Sequence, residues 1–260
     1  MPSVLFWNVA RGGTGASYDD VNQSLTRLSG RQPEFIILAE MLKLASRTYS
    51  DRKDSLAPSG YVTVKPIRPF GFDTPYMKDT SLRYYVFGKK PAGSVFIYST
   101  NIQTIPVRNS RPVLLLHIGT VSVIALHAPS VTHTSKPQAI QMKAAYDLAT
   151  QLFNATPLAI LGDMNIDLKS AKRVNSFNQE INGHALATWS RIGPGQKTQK
   201  RGGELDWALC AQGFTPAVTV IDTRGAPPRT FDEIDDDEEF NLNDEPVEKD
   251  SDHDPILVSW

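Results

Sequence analysis

The sequence predicts an α/β protein made of two mixed β-sheets packed face to face, with helices outside. Strand-like runs outnumber helical ones, and many neighbour each other across turns rather than helices, which argues against a purely parallel doubly wound sheet. Size agrees: 260 residues, 40% hydrophobic and 21% charged, suit one large packed domain and exclude global disorder. No internal repeat is visible.

Residues 3–9 read as a buried strand, followed by an Arg-Gly-Gly-Thr-Gly turn at 11–15. Ser17 with Asp20 resembles a helix-opening capping box, and Val21, Leu25 and Leu28 then recur at helical spacing until Gly30. Residues 34–40 form a second strand-like run. The stretch 45–111 is proline-rich and irregular, with short strands expected at 61–65, 82–87 and 94–99. Residues 113–118 and 121–127 read as a hairpin around Gly119-Thr120. A helix follows, in which Ile140, Ala144, Leu148 and Leu152 recur every four residues. Residues 157–161 are a buried strand and 175–181 a short helix. Strands at 205–209, 216–221 and 255–260 complete the set.

Several function classes fall away. No apolar run approaches the length of a membrane-spanning helix, so no membrane insertion is expected. Trp7 and Asn8 interrupt the first apolar run and no small-residue cleavage site follows, so the chain is expected to act in the cytoplasm or to be delivered by a route without a secretory signal. Cys210 is the only cysteine, which excludes an internal disulfide and a thiolate metal site. The formal charge of −1 hides an asymmetry: residues 232–250 hold 11 acidic residues and one Lys, and the rest of the chain carries +9. A basic body with an acidic segment suits a polyanionic substrate. The segment itself reads as a mobile exposed loop; a sharper reading makes it a self-contact over a basic groove or a docking site for a basic partner.

Polar residues punctuate the ends of the apolar runs. Asn8 ends the first, Glu40 the second and His127 the hairpin. Asp163 and Asn165 follow 159–162, Asp206 lies within 205–209, and Asp252-His253 precedes the last strand. Singly, each has an ordinary explanation as a turn former, cap or hydrogen-bonded structural residue. Gathered on one edge of a layered sheet, they would form a hard-cation site with acid/base groups.

In this order, Trp7-Asn8, Ile37-Leu38-Ala39-Glu40, Ala125-Leu126-His127-Ala128-Pro129-Ser130, Gly162-Asp163-Met164-Asn165, Glu204-Leu205-Asp206 and Ser251-Asp252-His253-Asp254-Pro255 resemble the endonuclease/exonuclease/phosphatase superfamily, the deoxyribonuclease I-like proteins. Ser110-Arg111-Pro112-Val113, Gly202-Gly203 before Glu204, and Val95-Phe96-Ile97-Tyr98 are similar more particularly to the catalytic subunit of cytolethal distending toxins. The resemblance covers nearly the whole chain and implies a single domain over 1–260 folded as a four-layer αββα sandwich. It implies that Glu40, helped by Asn8 and Asp252, holds Mg²⁺, with Mn²⁺ or Ca²⁺ substituting. Asp163 would orient or deprotonate the attacking water. Asn165, Arg111 and Asn8 would contact the phosphate. His253, paired with Asp206, and His127 would act as donors or acid/base groups. One departure stands out: no Glu occurs between Glu40 and Glu180 to brace His127, leaving Asp73, Asp79 or no carboxylate at all.

Other signals carry less. Residues 11–15 and the Gly193-Pro-Gly-Gln-Lys-Thr198 run fit neither the dinucleotide nor the P-loop pattern. No Gly-x-Ser-x-Gly elbow is present. His117 reads as structural, His133 and His184 as solvent-facing, and Cys210 as a packed thiol. Lys65, Arg68, Arg83, Lys89, Lys90, Arg108, Lys197, Lys200 and Arg201, with Tyr84 and Tyr85 among them, form a set suited to a phosphate backbone. The expected function is a Mg²⁺-dependent DNA endonuclease, toxin-like, leaving 5′-phosphate and 3′-hydroxyl ends. The alternatives are a phosphatase for phosphoinositides or other phosphomonoesters, and a binding module with a decayed site.

Overall fold

A computed structural model describes residues 1–9, 18–39, 57–65, 67, 84–89, 94–99, 112–130, 134–153, 156–199, 203–221 and 253–260. Its strands are β1 (Ser3–Asn8), β2 (Phe35–Ala39), β3 (Tyr61–Thr63), β4 (Tyr84–Lys89), β5 (Ser94–Ser99), β6 (Pro112–Ile118), β7 (Val121–His127), β8 (Ala159–Asp163), β9 (Ser190–Ile192), β10 (Asp206–Cys210), β11 (Ala217–Val220) and β12 (Ile256–Ser259). The helices are α1 (Tyr18–Ser29), α2 (Lys136–Phe153) and α3 (Ala171–Ile181), with a 3-10 turn at Ala185–Thr188.

The strands form two six-stranded sheets, in the orders β11-β12-β1-β2-β4-β3 and β5-β6-β7-β8-β10-β9. Each sheet contains one parallel pair, β1 with β2 and β7 with β8; the other neighbours run antiparallel. The two sheets therefore repeat one pairing pattern, although the sequence shows no repeat. The predicted mixed-sheet architecture is the one found.

Three apolar clusters set the layers. Val4, Phe6, Ile37, Leu114, Ala125, Leu161, Ala208 and Val258 pack between the sheets. Leu5, Trp7, Ile36 and Leu38 pack outward with Val21, Leu25 and Leu28 of α1. Ile124, Leu126, Ile160 and Leu209 pack outward with Ala139, Met142 and Ala145 of α2 and Phe177 and Ile181 of α3. Central strands thus bury both faces, which is why they read as unbroken apolar runs. Gly119 supplies the positive φ of 62° that the two-residue β6–β7 turn requires.

Local differences have simple causes. The row Ile140, Ala144, Leu148, Leu152 lies at the margin of the core-facing side, with Ile140 buried and Leu148 and Leu152 partly so; Ala139, Met142, Ala145 and Ala149 form its centre. Residues spaced by four drift about 40° around a helix at each step, so a strict four-residue row leaves the core. The predicted helix at 175–181 begins earlier, at Ala171, where the Ser170 hydroxyl accepts the Arg173 N–H at 3.4 Å. His184 is not solvent-facing: its Nδ1 accepts the Leu186 N–H, its Nε2 meets Asp147 at 3.2 Å, and its ring packs edge-on against Tyr146. His117 is structural as expected, with Nδ1 3.1 Å from the Ser122 hydroxyl and its ring stacked on Phe153. Burial raises the Cys210 thiol to about 12, so it stays protonated. The turn at 11–15 and the box residue Ser17 lie outside the described residues.

Gly162 is a tight point of the fold. It has φ 130°, and a Cβ there would land on the Leu126 carbonyl oxygen and 3.1 Å from the Phe6 ring. Gly162→Ala is expected to cost about 2–4 kcal/mol of stability, because both the backbone conformation and the space exclude a side chain. Urea unfolding measures it; an unchanged midpoint would show that the sheets separate without strain.

Candidate active site

Parallel pairing brings the ends of β1, β2, β7 and β8 to one edge of the double sheet. Asn8 is the register partner of Ala39, and His127 that of Asp163. Antiparallel pairing places Asp206, the first residue of β10, opposite Asp163. His253 lies just before β12, which runs antiparallel to β1. Residues 245 apart in sequence thus reach a common point.

Asp163 is its centre. One carboxylate oxygen, Oδ2, accepts the Asn8 Nδ2–H at 3.0 Å and lies 3.3 Å from His127 Nε2 and 3.8 Å from His253 Nε2. The other, Oδ1, accepts the Asn165 backbone N–H at 2.9 Å. The second carboxylate, Asp206, meets His253 Nδ1 at 2.9 Å through Oδ2. A carboxylate oxygen needs a donor, so the His253 proton sits on Nδ1, and Nε2 is turned toward Asp163. All five side chains are buried; Asp163 and Asp206 are each 1% exposed. Burial, opposed by His253 and reinforced by Asp206, pushes the Asp163 carboxyl up to about 6, with the Asn8 and Asn165 hydrogen bonds pulling it down.

The loop after β8 explains the Gly-Asp-x-Asn spacing. Asn165 adopts φ 49°, in the left-handed region that Asn tolerates better than most residues. That turn lets its N–H reach back to Asp163, while its side-chain Nδ2 donates to the Ala128 carbonyl at 2.8 Å. Its own carbonyl accepts from Arg173 Nη2 at 2.7 Å and from Gln138 Nε2 at 3.4 Å. Gln138 also donates to the Pro129 carbonyl at 2.8 Å, tying the loops after β7 and β8 together. Sequence reading gave Gln138 and Arg173 no role. A Gln inside an apolar helical row was the available signal.

The structure brings Asn8, His127, Asp163, Asn165, Asp206 and His253 together. Glu40, Arg111 and Asp252 lie outside the described residues, Glu40 and Asp252 each next in sequence to a residue of this edge, Ala39 and His253. Asp73, Asp79 and residues 232–250 also lie outside them. His127 does have a carboxylate at its Nε2, namely Asp163. Tyr84 and Tyr85 are buried and do not join a phosphate track. The Tyr84 hydroxyl instead crosses between the sheets, accepting the His127 N–H at 2.9 Å and donating to the Pro112 carbonyl at 2.9 Å. Lys89 lies about 17 Å along β4 from Tyr84, at the other end of the sheet, where Nζ donates to Gln32.

The donor set suits a divalent cation. Asp163, Asp206 and His253 offer ligand atoms that all lie within 4.8 Å of one another. Asp206 Oδ1 is buried and accepts no hydrogen bond from a described residue. Because Asn8 Nδ2 points at Asp163, its amide oxygen is the atom able to ligate. Carboxylate and amide oxygens are what a hard cation takes.

No protein-family model matches the sequence, and no curated protein does. Solved structures match in fold over the full length. A mannosyl-6-phosphatase of Bacteroides thetaiotaomicron superposes with a TM-score of 0.59 at 12% identity, covering 100% of this chain and 99% of the other. The Haemophilus ducreyi cytolethal distending toxin gives 0.57 at 17%, covering 99% and 97%. D. rerio TDP2, solved with a single-strand DNA product, gives 0.58 at 13%, covering 99% and 98%. An endonuclease/exonuclease/phosphatase family protein from Bacteroides thetaiotaomicron shares the fold as well, with a TM-score of 0.57 at 13% identity, and the mixed double sheet is the one that the motifs led us to expect.

Proposed function

We propose that the protein is a divalent-metal-dependent phosphoesterase, most specifically an endonuclease that hydrolyses DNA to 5′-phosphate and 3′-hydroxyl ends in the manner of the toxin subunits it resembles. The observation that carries this reading is the buried Asp163 carboxylate, set between two imidazoles and beside an Asp–His pair. Asp163 holds or deprotonates the attacking water. His253, with Asp206 fixing its tautomer, presents Nε2 to a phosphate oxygen or the leaving group, and His127 donates from the other side. Asn8 and Asn165 keep Asp163 oriented, and Arg111 supplies a guanidinium fork for the phosphate. Glu40, Asn8 and Asp252, or the Asp163–Asp206–His253 group, would hold the cation, which would supply positive charge beside the scissile phosphate.

A phosphomonoesterase acting on phosphoinositides or other phosphomonoesters is the second reading. It is favoured by the mannosyl-6-phosphatase, whose fold matches as well as that of the toxin. A decayed binding module fits poorly with an Asp–His pair held at 2.9 Å. The two enzymatic readings separate in one assay of supercoiled plasmid beside a phosphoinositide panel. Plasmid nicking with Mg²⁺, abolished by EDTA and restored by Mg²⁺ or Mn²⁺, is the expected outcome. Release of inorganic phosphate with intact plasmid would transfer the assignment to the second reading. Nicking that survives EDTA would remove the metal. DNA binding by the basic body is also expected to weaken steeply as salt rises.

A further inference from the structure

The run 193–198 fails every phosphate-loop pattern, yet it ends in a polar residue with no exposed surface, Thr198. Its hydroxyl oxygen accepts two backbone N–H groups, from Leu205 and from Asp206, each at 3.0 Å. Its carbonyl accepts the Asp254 N–H at 2.8 Å, and its own N–H donates to the Gly203 carbonyl at 3.1 Å. The next residue, Gln199, makes an isolated antiparallel bridge with His253. Asp206 opens β10 in one sheet, and His253 lies just before β12 of the other. Thr198 therefore grips the backbone on both sides of the 2.9 Å Asp206–His253 contact, which itself crosses from sheet to sheet.

The loop carrying Thr198 is held from below. The buried Glu204 carboxylate accepts the Gly195 N–H at 2.8 Å, and a Cβ on Gly193 would land on Glu204 Oε1. Glu204 N–H in turn donates to Asp167 Oδ1 at 3.1 Å, so the loop after β8 shares the brace. A hydroxyl has two lone pairs, which matches two N–H donors, and a β-branched side chain fixes the angle at which it presents them. Thr198 has no exposed surface to offer a phosphate, which disposes of the nucleotide-loop alternative. We propose that Thr198 is a positioning residue: it sets the distance and angle of the Asp206–His253 pair. The effect on turnover rests on the phosphoesterase reading; the effect on the pair does not.

Thr198→Val keeps the shape and removes the acceptor, whereas Thr198→Ser keeps the acceptor. Both are made in the full chain and read in two ways: kcat and KM on supercoiled plasmid with Mg²⁺, and the His253 Nδ1–H resonance by NMR in EDTA. The Val variant is expected to lose about 10- to 100-fold in kcat with KM within about twofold, the scale of a small misplacement of a catalytic group. Its Nδ1–H resonance should move or broaden beyond detection. The Ser variant should keep the resonance and stay within about threefold of the parent in kcat. A Val variant with unaltered resonance and kcat would overturn the proposal, and so would Val and Ser variants impaired alike. If Val prevents folding, Thr198→Ala is judged by the same criteria. If the parent cleaves no plasmid, the resonance alone decides, and the endonuclease reading fails separately.

Discussion

Asp163→Asn is expected to reduce kcat on supercoiled plasmid by about 10³–10⁴-fold, the scale on which a positioned base contributes. Asn has nearly the same shape and keeps an oxygen for the Asn8 or Asn165 donor. The loss should therefore reflect the missing charge rather than a collapsed site. The parent's own pH profile follows from the same group. With the carboxyl at about 6 the ionised form prevails above that value, so turnover should fall as pH drops through it. The stability signature has the opposite sense. A carboxyl whose folded value lies above its unfolded one gives stability that is present at low pH and lost as pH rises through the folded value. In EDTA, the melting temperature of Asp163→Asn relative to the parent should accordingly climb between pH 4 and pH 8. A relative melting temperature that falls over that range would mean that Asp163 is ionised well below 6.

His253→Ala is expected to abolish phosphodiesterase activity, a loss of about 10³-fold or more, and also to destabilise the fold by about 3 kcal/mol. The second effect arises because Asp206 Oδ2 would keep its burial and lose its partner. Asp206→Asn alone should be impaired through the wrong histidine tautomer. Because the two residues act as one unit, the double variant should be scarcely worse than His253→Ala. Fully additive losses in kcat would show that Asp206 serves a separate purpose. Unchanged turnover in purified His253→Ala would remove His253 from the reaction altogether.

Much of this was legible before any coordinates. Strands buried on both faces write themselves as apolar runs, so β1, β2, β7 and β8 and the polar residues that end them stood out. Asp163, Asn165, Asp206 and His253 are legible as polar residues that punctuate apolar runs. What escaped was whatever depends on tertiary contact. Tyr84 and Tyr85 look alike in sequence, yet one bolts the sheets together and the other packs under α1. The short edge strand β9, mostly exposed, carries no period to detect. The early start of α3 hides because only Phe177 and Ile181 of that helix are buried. Gln138, Arg173 and Thr198 serve the site by gripping backbone, and backbone recognition leaves no residue pattern.

The matched pairing of the two sheets has a consequence for when the protein becomes competent. Asn8 and His253 arrive on one half of the sandwich and His127, Asp163 and Asp206 on the other. A nascent or partly unfolded chain with a single half assembled possesses an incomplete and inert set of reacting groups. If the proposed activity is assayed during refolding, it should accordingly appear late, together with the docking of one half on its twin.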